Sequence, residues 1–288
     1  MKLGFGWLIL GFLVVYFQAA QAQQTLHPAV SFENFVPFQL RCGFLIVVEG
    51  RVGSLAPLKF ILDTGATRTV IDSKLAQKLS LSRRKGQLLN FDRNVKVDRT
   101  NLPELQLGSL TVRNLPVIVG DLKHLSGFAE GVDAIIGLDL LRASQSLLID
   151  YQKGVVTFRT PSPDALKDAK HAQVLTIQLP IQGQPVHLTV DTGLQGLLLY
   201  QDRVRRHLTE LKLSGTISQA HAGRLTGQTA TLAGIRVGSG ELQSSALLLR
   251  HAPDSLPYDL DGYLGTEALH AQMIELDFAS NTLRWQTK

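Results

Sequence analysis

Two aspartates stand in matching settings. Asp63 and Asp191 each open an Asp-Thr-Gly tripeptide, and each tripeptide ends an apolar run, Pro57-Leu-Lys-Phe-Ile-Leu62 and Pro185-Val-His-Leu-Thr-Val190. A lone aspartate at the end of a strand is usually a turn former, because its carboxylate accepts hydrogen bonds from the backbone that follows. Two such groups facing one another have different chemistry. Neighbouring carboxylates do not both ionise, so one proton is shared and the pair offers an acid and a base at one site. Such a pair could activate a water lying between the carboxylates and protonate the leaving amine of a peptide, with no covalent intermediate and no metal. The tripeptides suit that task. Gly65 and Gly193 permit a tight turn that brings backbone N–H groups to the carboxylate, and the Thr64 and Thr192 hydroxyls both donate and accept.

Bringing the two aspartates together falls to an internal repeat. The segment Val132-Asp-Ala-Ile-Ile-Gly-Leu-Asp-Leu-Leu141 matches Leu260-Asp-Gly-Tyr-Leu-Gly-Thr-Glu-Ala-Leu269, and both elements are displaced by 128 residues, Asp63 to Asp191 and Gly137 to Gly265. A third pair, Leu147-Leu-Ile-Asp-Tyr151 and Met273-Ile-Glu-Leu-Asp-Phe278, follows at nearly the same offset. A given tripeptide occurs by chance in only roughly a few per cent of chains of this length, so two copies in register with two further matched segments point to duplication. Duplicated lobes packed about a pseudo-twofold axis place equivalent strand ends opposite one another.

The chain resembles the retropepsin-like aspartic peptidase superfamily, in particular bacterial members with an exported, duplicated lobe. The resemblance rests on Phe60-Ile-Leu-Asp-Thr-Gly-Ala-Thr67, Ile135-Ile-Gly-Leu-Asp-Leu-Leu141 and Leu148-Ile-Asp-Tyr151, and is strongest in the first half. It implies an aspartic endopeptidase with Asp63 and Asp191 as the catalytic pair, and Thr64 and Thr192 bonding across the lobe interface beneath it. It also implies that the loops at Ile136 and Gly137, and at Leu264 and Gly265, pack beside the catalytic turns. The second half departs from the pattern: where the family has alanine or serine after Asp-Thr-Gly, this chain has Leu194, then Gln195 and Gly196. A leucine there could crowd the pair or line a subsite. Two alternatives therefore stand beside the single-chain peptidase. One is a peptide-binding protein that keeps the fold without turnover; the other pairs Asp63 with its copy in a second chain.

The elements around these motifs read as all-β with short helices: two retropepsin-like lobes related by a pseudo-twofold axis. The expected bounds are residues 23–160 and 171–288, joined by a linker at 161–170 that carries Pro161, Pro163 and a polar run. Hairpins are expected from Gly43–Arg51 with Leu58–Leu62, and from Val174–Leu179 with Val186–Val190. Short helices are expected at Asp72–Leu79 behind an aspartate cap, at Gln201–Leu211, at Leu138–Ala143 and at Thr266–Ala271. Ser214–Leu232, with Gly215, Gly223 and Gly227, reads as a glycine-rich covering hairpin. Ser82–Leu105 is more charged and less obviously one.

Residues 1–22 read as a signal peptide: Lys2, an apolar run from Leu8 to Phe17, and Ala20-Gln-Ala22 as a cleavage site, with an uncleaved anchor as the alternative. The expected product is exported, periplasmic or secreted, with no stable membrane span after leader cleavage. It is expected to act as a monomer, an intramolecular pseudo-dimer, on a peptide or protein substrate. At 288 residues and 44% hydrophobic content the chain can bury a sizeable core. A net charge of +5, without a concentrated basic stripe interleaved with aromatics, argues against a nucleic-acid partner. The eight histidines have no zinc-type spacing, so no metal and no cofactor is expected. Ser239 lacks a nucleophile-elbow pattern, and Gly131–Gly137 lacks the lysine of a phosphate loop. Asp139, Asp150 and Asp277 read as turn or packing residues, Asp72 as a helix cap, and the single Cys42 as a small buried hydrophobe.

Overall fold

The computed structural model describes residues 35–90, 93–122, 131–161, 174–206, 208, 212–217, 227–237, 240–253, 256–257 and 259–287. The expected signal peptide and almost all of the expected linker lie outside them. In the first half the strands are β1 (Phe35–Arg41), β2 (Leu45–Val52), β3 (Leu55–Leu62), β4 (Val70–Asp72), β5 (Arg84–Asn90), β6 (Arg93–Leu107), β7 (Leu110–Gly120), β8 (Ala134–Ile136), β9 (Ser144–Asp150) and β10 (Val155–Pro161). Two short helices, α1 (Ser73–Lys78) and α2 (Leu138–Leu141), interrupt them. The second half holds β11 (Thr176–Ile181), β12 (Gln184–Asp191), β13 (Leu197–Tyr200), helix α3 (Gln201–Val204), β14 (Lys212–Ile217), β15 (Gly227–Val237), β16 (Gly240–Leu249) and β17 (Gly262–Gly265). A 3-10 turn at Thr266–Leu269, β18 (Met273–Asp277) and β19 (Thr282–Gln286) complete it. The protein is predominantly β with short helices, arranged in two sheets consistent with two lobes.

The same wiring occurs twice. β3 runs parallel to β8, pairing Leu62 with Ile136, and β12 runs parallel to β17, pairing Asp191 with Gly265. On the far side of β8, β4 is antiparallel to it and parallel to β7; β13 stands in the same relation to β17 and β16. Both Asp-Thr-Gly turns therefore leave a strand whose neighbour ends in the second matched motif. The halves join where β9 pairs antiparallel with β18, Ile149 opposite Ile274 and Leu147 opposite Leu276. These are the two members of the third repeated segment, paired with one another. All four side chains are fully buried, so the seam is built from the apolar face that each copy contributes.

Three expectations change. Cys42 is exposed, in the left-handed conformation (φ 53°) of the β1–β2 turn, where it cannot be part of a core. The helix expected over Gln201–Leu211 is described as the single turn α3, with Arg205 as its C-cap; residues 207 and 209–211 lie outside the described residues. The charged stretch at Ser82–Leu105 is a full hairpin of β5 and β6, with Lys85 opposite Asp98 in the ladder and ion-paired to it at 2.7 Å. Its counterpart is β14 with β15, whose connection lies outside the described residues.

Candidate active site

Thr64 and Thr192 hold the two turns together. The Thr64 hydroxyl donates to the Val190 carbonyl (2.9 Å) and accepts from the Thr192 N–H (3.1 Å). Reciprocally, the Thr192 hydroxyl donates to the Leu62 carbonyl (2.8 Å) and accepts from the Thr64 N–H (3.1 Å). Each hydroxyl spends both its functions across the interface, and both threonines are fully buried. A valine at either position would keep the shape and lose two of the four bonds, leaving one carbonyl and one N–H without that partner in the interior.

This bridge sets Asp63 and Asp191 face to face. A Cβ built on Gly193 would lie 2.9 Å from the Asp63 carboxyl carbon, and one built on Gly65 would strike the Asp191 carboxylate. Each carboxylate thus rests on the glycine of the other turn, which is why neither position accepts a side chain. The two carboxylates are within hydrogen-bonding reach of each other. Loss of water around Asp63 raises its pKa to about 6, against the opposing pull of Asp191 and of the backbone donors. Asp191 is raised well above the ordinary range, by burial and by the Asp63 charge.

The two members are not equivalent. Asp63 accepts from the N–H groups of Gly65 (2.9 Å) and Ala66 (3.0 Å). Asp191 accepts from the N–H of Gly193 (2.7 Å), whereas the Leu194 N–H turns to the Asp191 main-chain carbonyl, a long contact of 3.5 Å. Burial raises both carboxyls, and the Asp63 charge raises Asp191 further, although the Gly193 and Gly65 N–H groups pull it down. The Leu194 side chain packs against a cluster of Leu198, Tyr200, Leu256, Leu260 and Tyr263.

The ends of β8 and β17 lie beside the turns. Ile136 and Leu264 are buried, and the Asp63 N–H donates to the Ile136 carbonyl at 3.0 Å. A side chain on Gly137 would meet the backbone of Arg68 at 2.6 Å, and one on Gly265 the backbone of Leu194 and Gly196. Sequence reasoning passed over what clamps these loops. The buried Asp139 carboxylate accepts from the Thr69 N–H (2.9 and 3.0 Å) and the Thr69 hydroxyl (2.7 Å), while the Gly137 N–H donates to that hydroxyl (3.1 Å). In the second half Glu267 accepts from the Gly196 N–H at 2.8 Å. The signal was present: Asp139 and Glu267 occupy matching places in the repeat, both acidic. The packing role expected of Asp139 is the one it has.

Apolar walls flank the pair. Side chains two residues apart on a strand share a face, so Ile61 lies on the side of β3 that continues into Asp63. With Val47, Val70, Ile118 and Ile135 it forms one buried cluster. The cluster containing Leu198 and Tyr263 is its counterpart beside Asp191.

Residues 48–140 match the sequence model of a family described as aspartyl protease, a span that includes Asp63 and Ile135-Ile136-Gly137 but not the second half. No curated protein matches the chain in sequence. Among solved structures, the crystal structure of a retropepsin-like aspartic protease from Rickettsia conorii is similar at 20% identity and a TM-score of 0.33, over 43% of this chain and 89% of that one. At that TM-score nothing about this chain follows from the overlay. The family match makes the first half similar to the aspartyl proteases.

Proposed function

We propose that this protein is an aspartic endopeptidase in which Asp63 and Asp191, from one chain, share a proton and activate a water between them. The reciprocal threonine bridge, which leaves each carboxylate against the other turn's glycine, is the observation that carries this reading. Asp63, raised less than Asp191, is the ionised member and takes a proton from the water as its oxygen attacks the peptide carbonyl carbon. Asp191 gives its proton to the carbonyl oxygen. Collapse of the tetrahedral intermediate breaks the C–N bond: the amine takes the proton held by Asp63, and a hydroxyl of the intermediate returns a proton to Asp191. In this reading Thr64, Gly65, Thr192 and Gly193 position the pair, the loops at Ile136-Gly137 and Leu264-Gly265 support it, and residues 1–22 direct the enzyme to an exported, periplasmic or secreted location. The competing reading, a binding protein without turnover, drew on Leu194. That side chain packs against the cluster of Tyr200 and Tyr263, which favours a wall-lining role over a blocking one.

The test is a diverse peptide library digested by the mature protein across a range of pH. Cleavage is expected in a bell-shaped profile on the acid side of neutral, because the active form carries one proton on the pair. Asp63→Asn and Asp191→Asn should each lower kcat by about a thousandfold or more, as loss of an acid–base group does. Full activity in Asp191→Asn would refute the single-chain pair.

A further inference from the structure

The two walls differ in their polar atoms. In the second half Tyr263 of β17 is paired on one side with Thr189 of β12 and on the other with Leu198 of β13. Residues paired across a ladder share a face, as do residues two apart on one strand, so Thr189, Asp191, Leu198, Tyr200 and Tyr263 stand on one side of the sheet. The positions 128 residues before Thr189, Leu198 and Tyr263 are Ile61, Val70 and Ile135, all in the wall beside Asp63. Thr189 and Tyr263 thus carry hydroxyls where the first half has isoleucines, and Tyr200 adds another. All three are buried. The tyrosine rings meet edge-on with centroids 6.3 Å apart, and their hydroxyls act on one another. Even so, the Tyr200 and Thr189 hydroxyls find no partner at hydrogen-bonding geometry among the described residues. A buried hydroxyl without one costs free energy, and a native interior that keeps such groups does so for a reason. The charged group on this face is Asp191, and its charge reaches Tyr263. The other charged groups nearby are Asp63 across the pair, and Arg203 and Asp202 of α3, which act on Tyr200.

We infer that Tyr263 is a positioning residue for Asp191: when Asp191 gives up its proton, the Tyr263 hydroxyl, steadied by Tyr200, donates to the new carboxylate directly or through one bound water. For its part in catalysis the inference rests on the peptidase reading. There Asp191 protonates the substrate carbonyl oxygen and becomes an anion in a buried place. Burial keeps both phenols protonated at every working pH, so each remains a neutral donor. A hydrogen bond from such a donor strengthens as negative charge develops on the acceptor, which is the moment at which the acid needs it. The proton stays on the phenol oxygen throughout; only the hydrogen bond changes. Asp63, the member that is already ionised, is served by the N–H groups of Gly65 and Ala66, and its wall is aliphatic.

The experiment compares the mature protein with Tyr263→Phe and Tyr200→Phe, each of which removes one oxygen and keeps the ring. On a cleaved peptide, Tyr263→Phe should move the alkaline limb of the pH–rate profile upward by about 0.5–1 unit, because the Asp191 anion loses a donor. Its kcat should fall about three- to tenfold with KM little changed, as for an interaction made only once charge has developed. Tyr200→Phe should act in the same direction and less. An alkaline limb that stays in place in Tyr263→Phe overturns the inference and leaves the peptidase reading intact. A second readout needs no turnover: melting temperature is followed against pH. The loss of stability that accompanies ionisation of the pair should run to higher pH in Tyr263→Phe than in wild type, since the folded Asp191 holds its proton longer. If wild type cleaves nothing, the peptidase reading falls, and this melting comparison alone decides whether Tyr263 serves Asp191: a displaced curve keeps the contact, and coincident curves remove it.

Discussion

Asp63 and Asp191 have raised pKa values, and the sign of that shift has a consequence for stability. A carboxyl whose pKa rises from 3.8 to about 6 on folding leaves the native state with more bound protons than the unfolded one between those values. Stability from this source is fully present below 3.8 and is lost as pH climbs through the folded value, later still for Asp191. The wild-type protein should therefore melt at a lower temperature at pH 7.5 than at pH 5 in proportion to this pair. Asp191→Asn places a neutral, hydrogen-bonding group beside Asp63, so its melting temperature at pH 7.5 should exceed that of wild type by on the order of 5 °C, with a flatter dependence on pH. Calorimetry at the two pH values decides the matter, and a variant that melts at or below wild type at pH 7.5 would contradict the shift. The glycines beside the pair belong to the same scale: no side chain fits at Gly65 or Gly193, because the opposite carboxylate already stands there.

Among the elements, α1 was foreseen together with its cap, since Asp72 precedes an amphipathic turn and its Oδ1 accepts from the Lys74 N–H at 2.8 Å. Its second partner was not foreseeable: Oδ2 accepts from the Leu122 N–H at 3.0 Å, from a segment fifty residues on. Asp72→Ala removes both bonds. It should cost about 2–4 kcal/mol in urea unfolding, the sum of a lost cap and an orphaned buried donor; a loss below about 1 kcal/mol would show that only the cap mattered. The helix expected over Gln201–Leu211 shows the opposite case. Apolar spacing there suggested several turns; α3 is one turn, Val204 and Leu208 are buried, and the Leu208 N–H still donates to the Val204 carbonyl at 2.8 Å. In the β5–β6 hairpin, charge misled the reading: Lys85 and Asp98 are complementary partners across two strands, which a linear scan sees as a polar run.

The molecule as a whole depends on the seam between β9 and β18, where a buried carboxylate sits among leucines. Glu275, on β18, is ion-paired to Arg159 of β10 (2.9 Å) and to Arg284 of β19 (3.3 Å), and accepts from the Ser146 hydroxyl of β9 (3.3 Å). It joins first-half strands to second-half strands through one side chain that is 1% exposed. Removing one member of a buried pair leaves the others uncompensated. Because both arginines keep some access to water, Glu275→Ala should cost about 2–4 kcal/mol rather than the full range for sealed pairs. Denaturant unfolding of that variant tests it, and a cost below about 1 kcal/mol would mean that the apolar ladder alone carries the seam. Activity should fall with occupancy of the folded state, since the threonine bridge needs both halves in register.

From the sequence alone came the motifs, their common offset and the β-rich character, because apolar alternation, Asp-Thr-Gly turns and repetition are written locally along the chain. So were the candidate pair and the threonines and glycines beside it, whose chemistry depends on residue type. What only the tertiary structure decided were contacts between residues far apart. These are the cluster on which Leu194 packs, the unequal rise of the Asp63 and Asp191 carboxyls, the Asp139–Thr69 clamp, and the pairing of the third repeat with itself. Each depends on which faces meet when the strands assemble, and no local pattern encodes that, since the same alternation is compatible with many partners.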